Sequence, residues 1–284
     1  LNDKYVYCPY SHAVSEDAVE QLGALMRRNL FFYSFGETEV IEYYESGCFD
    51  TMERAARYAY KNRLPKRADI TDGLPSETLL DLLVQLYNPN AYKLAVRTIF
   101  RQDDNNEIKG YDLTYFTKDE SGISLWLGQA KLGEIDYCKS GINRDLLEKF
   151  EATYLSKQLF FVCTKRVALS NDAKDILKTI EKINICTMDK DDSTRAEKLI
   201  AYLQDQKIAV KIPCLLAYGK AEPYQNASKL YEQIETEVQG IRNYFNKHVY
   251  FFKGFSPEIV FYVFPIESIE RLRNKETGFY AGLC

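Results

Sequence analysis

The chain has 284 residues, 46% of them hydrophobic and 27% charged, and a formal net charge of −4. This composition excludes a disordered or fibrous chain and leaves room for one large domain or two modest ones. The acidic balance also excludes the broad basic footprint of an autonomous high-affinity DNA binder, so contact with DNA is expected to depend on local positive charge or on a partner.

Seven cysteines, Cys8, Cys48, Cys138, Cys163, Cys186, Cys214 and Cys284, form no C-x-x-C pair and lie mostly in apolar segments, so they read as reduced and structural. The two histidines, His12 and His248, are far apart in sequence, which argues against a His-rich zinc site and against a Ser/His/Asp hydrolase. Carboxylate chemistry is what remains. There is no apolar run of membrane-spanning length and no leader pattern at Leu1–Lys4, which gives the expectation of a cytoplasmic protein without membrane contact.

In chain order, apolar spacing predicts helices over Glu16–Arg28 and Met52–Lys61, with Phe31-Phe32-Tyr33-Ser34-Phe35 strand-like between them. Tyr5, Tyr7, Tyr10, Tyr43, Tyr44, Tyr58 and Tyr60 crowd this first part and read as core or interface packing, with base stacking as the alternative. The basic residues Lys61, Arg63, Lys66 and Arg67, and later Arg97 and Arg101, suit either a phosphate backbone or a solvated face. After Pro65 and Gly73-Leu74-Pro75, a buried helix is predicted over Ser76–Leu86, with Ser76 as N-cap and Glu77 complementing the positive helix end.

Lys93–Phe100 reads as a strand and Asp103–Asn106 as a loop. Two further strands, at Gly110–Phe116 and Leu125–Leu132, flank the turn residues Lys118–Gly122 and predict an antiparallel hairpin. Then come a helix over Ile142–Tyr154 and a buried strand at Leu159–Cys163, which completes the order helix, three strands, helix, strand. Helices at Asp172–Ile183 and Ser193–Asp205, a strand at Lys211–Tyr218, a long amphipathic helix at Lys229–Lys247 and a strand at Glu258–Pro265 follow. No phosphate-binding Gly-rich loop, helicase motif or dinucleotide fingerprint is present, so no bound nucleotide is expected and any motor belongs to another subunit.

The chemistry concentrates on the hairpin. Gln129 and Lys131 point to one face by the period-two alternation of a strand, and they follow the apolar Leu125-Trp126-Leu127, where a polar pair is unexpected. With Asp112 at the start of the preceding strand and Glu77 on the helix behind, three oxygen-bearing side chains and one amine can converge. Phosphodiester hydrolysis needs that combination: oxygen ligands for Mg²⁺ or Mn²⁺, with the Ala130 carbonyl as a further donor, and a cation that acts on the attacking water or the phosphate. Taken singly, Glu77 is also a dipole-complementing acid, Asp112 a turn residue, Gln129 a solvent-facing amide and Lys131 a surface charge.

At these residues the chain resembles the PD-(D/E)xK nuclease superfamily and, more narrowly, the HamA family of the Hachiman anti-phage defence system. The resemblance rests on Glu77 before Leu79 and Leu80, on Gly-Tyr-Asp-Leu at 110–113, on Leu-Trp-Leu-Gly-Gln-Ala-Lys at 125–131 and on Ile-Pro-Cys-Leu-Leu at 212–216, and it covers Pro75–Pro265. It implies an α/β fold with a restriction-endonuclease-like core, a mixed central sheet flanked by helices, over 67–284, behind an N-terminal α+β extension over 1–66. It also implies Glu77, Asp112, Gln129 and Lys131 as the catalytic residues, the first three as metal ligands, with DNA as substrate and a HamB-like superfamily-2 helicase as the controlling partner. The departure is Gln129, where the family's motif usually has Glu. Three readings stay open: a natural variant with a looser or Mn²⁺-preferring site, a silenced nuclease fold that only binds DNA or its partner, and an RNase.

Overall fold

The computed structural model describes residues 4–64, 73–96, 110–120, 122–163 and 170–283. They form a three-layer α/β/α sandwich around a six-stranded mixed sheet of order β1-β6-β5-β4-β3-β2, which bears out the expected class. The strands are β1 (Val6–Pro9), β2 (Ala91–Lys93), β3 (Leu113–Asp119), β4 (Gly122–Gly133), β5 (Ala209–Gly219) and β6 (Glu258–Ile266). β1, β6, β5 and β4 run parallel to one another, while β3 is antiparallel to β4 and β2 to β3.

Alternation along the strands sorts the core into two faces. Leu125 and Leu127 of β4, with Ile212, Cys214 and Leu216 of β5, face one apolar layer. It is built by α5 (Ile135–Glu148), α6 (Ala152–Cys163), α7 (Asn171–Cys186), α8 (Asp192–Asp205) and α9 (Leu230–Phe245). Trp126, Ala130 and Leu132, with Leu215 and Ala217, face the opposite layer, which holds α1 (Ala18–Ser34), α4 (Leu74–Tyr87) and α10 (Ile269–Leu272). α2 (Glu37–Glu45) and α3 (Met52–Asn62) close a smaller cluster around Phe31 and Phe35. At Gly128 an added Cβ would stand 2.8 Å from Leu80 and 2.9 Å from Leu113 Cβ, so only glycine lets α4 lie this close to β4.

Several expected elements differ. Phe31–Ser34 is the last turn of α1, not a strand, because Val19, Leu22, Met26, Leu30 and Tyr33 continue one helical stripe into the core while Phe31 packs on the other side. Leu159–Cys163 ends α6 instead of forming a strand: Leu155, Leu159 and Val162 keep helical spacing, and a five-residue apolar run does not distinguish the two structures. The strand completing the core order is therefore β5, after four helices. The helix expected over Ile142–Tyr154 is broken at residues 149–151, where Phe150 turns into the core. Helix α4 begins at Leu74 with Gly73 as N-cap, and Ser76 sits inside the first turn donating to the Gly73 carbonyl (2.7 Å), since Pro75 already favours the first turn.

β2 stops at Lys93, and the amides of Leu94 and Ala95 both reach the Thr114 carbonyl; the remainder of the strand expected to Phe100, the loop at 103–106 and the boundary at 66 lie outside the described residues. So do Lys66, Arg67, Arg97, Arg101 and Cys284. Arg63 pairs with Glu39 (2.7 Å) and covers the Phe35 ring. The early tyrosines mostly pack: Tyr7 stacks on Phe261 of β6 and Tyr43 lies against Phe35 and Phe49, whereas Tyr44 is exposed. All six described cysteines are free thiols. Among the described residues, no helix is long and apolar enough to cross a membrane.

Candidate active site

Three of the four expected residues meet at one end of the β3–β4 pair. Asp112 precedes β3, and its amide donates to the Gly128 carbonyl (2.9 Å) while its carboxylate accepts the Ala130 amide (2.9 Å). This double clasp closes the ladder and fixes Asp112 between Gln129 and Lys131 in height along β4. Gln129 pairs with Cys214 and Lys131 with Leu216, two residues of the α5-side core, so both side chains enter the layer below α5. Tyr111 ties this end to the helix by donating to the Lys149 carbonyl (2.8 Å).

There the helix contributes charges of its own. Asp145 of α5 is 4% exposed and accepts from Lys131 Nζ at 2.5 Å; Lys149, one turn on at the C-cap, lies 3.3 Å from the same carboxylate oxygen. Lys149 Nζ also donates to Gln129 Oε1 at 2.6 Å. Gln129 is fully buried, and its Nε2 finds no acceptor among the described residues. Lys131 reaches Asp145 across Gly141, where an added Cβ would come within 2.9 Å of the Lys131 Cε.

Burial alone would lower the Lys131 pKa, but the carboxylates of Asp112 and Asp145 outweigh it and hold the ammonium above its ordinary value. Lys131 is thus a fixed cation at neutral pH, suited to orienting water or stabilising a phosphoryl anion and unsuited to removing a proton. Burial likewise pushes the Cys138 thiol up to about 12, and Cys214, opposite Gln129, is raised for the same reason, so neither is a nucleophile.

Glu77 is placed differently. It lies on α4, which packs on the opposite face of the sheet, is 5% exposed and accepts the Tyr33 hydroxyl at 2.6 Å. Tyr33 and Asp112 line a common cavity of about 30 Å³ with Asp81, Lys93 and Tyr115, so one hydrogen bond separates Glu77 from the cavity that Asp112 borders.

A family model described as HamA matches residues 1–283, which is nearly the whole chain. The chain belongs to the HamA family. Membership makes it a component of the Hachiman anti-phage defence system. A search of curated proteins gave no match.

Gln129 has nearly the shape of a glutamate and none of its charge. Asp112 is a fitting donor for Mg²⁺ or Mn²⁺. Gln129 as seated is not, because its oxygen is engaged by Lys149. Among the described residues there is no group of three His, Cys, Asp or Glu side chains able to hold a metal ion.

Asp145, Lys149 and Gly141 are members of the site that the chain's motifs do not mark. Asp145 and Lys149 have the i,i+4 spacing of an ordinary solvent-facing helix pair, so nothing in the spacing says that they point inward. Gly141 lies just before the helix expected from Ile142, so its place inside α5, where a glycine costs about 1 kcal/mol against alanine, was not legible from the sequence either.

Proposed function

We propose that this chain is the nuclease subunit of its Hachiman complex, a DNA phosphodiesterase dependent on Mg²⁺ or Mn²⁺, attenuated by Gln129 and controlled by a helicase partner. The observation that supports this most is the convergence of Asp112, Gln129 and Lys131 on one strand end, with Lys131 held charged by two carboxylates. A bound divalent cation would supply Lewis acidity and a water of lowered pKa. The chain's own part is to anchor such an ion through Asp112 and to present the Lys131 ammonium to the phosphoryl oxygens as charge develops on them. Asp145 keeps that ammonium in one position, since a long flexible side chain would otherwise lose its aim. Glu77 reaches the cavity that Asp112 borders only through Tyr33.

A second reading has its own support. The neutral Gln129, with its oxygen engaged by Lys149, also suits a nuclease fold that no longer cuts and serves to bind DNA or clamp the helicase.

Plasmid nicking by the chain, alone and with its helicase partner, tests both readings, using Mg²⁺, Mn²⁺ or EDTA, with Lys131→Ala as the site variant and a matched RNA beside the DNA. Cleavage lost with EDTA and with Lys131→Ala is the expected result. Cleavage indifferent to Lys131→Ala would rule the site out, no cleavage even with the partner would favour the binding module, and preference for RNA would reassign the substrate.

A further inference from the structure

The carboxamide of Gln129 is fully buried and has two unlike ends. A lysine ammonium has only donors, so the end that meets Lys149 Nζ at 2.6 Å has to be the oxygen. The amide nitrogen is thereby turned to the side away from Lys149, where it lies buried without an acceptor among the described residues. A buried donor left unpaired costs about 1–3 kcal/mol, so the arrangement persists because reversal would face NH₂ against NH₃⁺. Lys149 cannot simply swing away, because Asp145, which is 4% exposed and also holds Lys131, lies 3.3 Å from its ammonium.

We infer that Lys149 is a positioning residue for position 129: it draws one oxygen of that side chain to itself and decides which atom the other end offers to a divalent cation. With Gln at 129, the offered group is an N–H donor that repels a cation. With Glu, both ends are oxygens, so Lys149 would keep one and leave the other free as a ligand. Cation affinity in this chain is therefore limited by the orientation of the amide as well as by its missing charge. The inference rests on the nuclease reading for the identity of the ligand, a divalent cation, and adds the residue that controls access to it.

A double-mutant cycle on Mn²⁺ affinity separates orientation from charge. Mn²⁺ binding to the full chain is measured by titration calorimetry for wild type, Lys149→Met, Gln129→Glu and the double variant, with circular dichroism confirming the fold. Removing the Lys149 charge should help a cation equally in both backgrounds, but only in the Gln129 background does it also free an amide to turn. The expected result is an extra gain of about tenfold for Lys149→Met in the Gln129 chain over its gain in the Gln129→Glu chain, the scale typical of groups that orient metal ligands. Lys149→Arg, which keeps charge and donor, should bind Mn²⁺ like wild type. If Lys149→Met does not fold, Lys149→Ala provides the same comparison. Equal gains in the two backgrounds would overturn the role of Lys149 while leaving the nuclease reading intact. Failure of Gln129→Glu to bind Mn²⁺ more tightly than wild type would instead count against the nuclease reading, and absence of Mn²⁺ binding in all four proteins would overturn both.

Discussion

On the α4 face of the sheet, Asp81 is 2% exposed and both of its oxygens are used: Tyr115 donates to one at 2.6 Å, and Asn29 and Gln85 donate to the other at 2.8 and 2.5 Å. On the α5 face, Gln129 is equally buried, yet one end of its amide is left over. Both clusters are polar islands in an apolar core, and both incur the cost of desolvation. The first repays it inside the fold and so reads as structural. The second repays it only in part, because the Gln129 Nε2 has no acceptor among the described residues.

If that contrast is right, the two islands should respond differently to substitution. The largest effect on stability is expected from Asp81→Ala, which removes the charged acceptor shared by the buried Tyr115 and Asn29 and the half-buried Gln85 and should cost about 3 kcal/mol in urea unfolding, with no specific effect on cation binding. Asp145→Ala should cost less, about 2 kcal/mol, since Lys131 and Lys149 are 13% and 23% exposed and regain some water, but it should also abolish whatever cleavage the chain supports. A loss of stability without loss of function in Asp145→Ala would make the α5 cluster merely structural too.

A smaller effect is expected from pH. His12 is neutral in the fold: Nδ1 donates to the Ala13 carbonyl and Nε2 accepts the Glu267 amide, and burial lowers its pKa below the ordinary 6.5. The unfolded chain thus binds the proton first, so stability is full above pH 6.5 and falls as pH drops toward the lowered value. Unfolding of His12→Gln across pH 5 to 8 should flatten that limb. The smallest change in stability is expected from Gly141→Ala, where the helix gain of about 1 kcal/mol offsets the displaced Lys131 stem. Its signature is a selective loss of cleavage without unfolding.

The hairpin was legible because strand alternation forces Gln129 and Lys131 to one face, and a polar pair directly after Leu-Trp-Leu breaks the pattern of a strand that is otherwise buried. Helix α4 was legible from its leucines. The helical nature of Phe31–Ser34 and Leu159–Cys163 was not, because short buried apolar runs lack a polar face to set their period. Nor was the inward direction of Asp145, which depends on how α5 crosses the sheet. The same tertiary fact hides the amide orientation at 129, since a sequence records that glutamine is present and not which end meets Lys149.

The most direct test of the central claim, that position 129 belongs to a metal-dependent cleavage site, is the rate of DNA cutting by Gln129→Glu against wild type across Mg²⁺ and Mn²⁺ titrations. Faster cleavage by Gln129→Glu is predicted, with half-maximal rate at lower metal concentration. Equal rates at every concentration would contradict the claim.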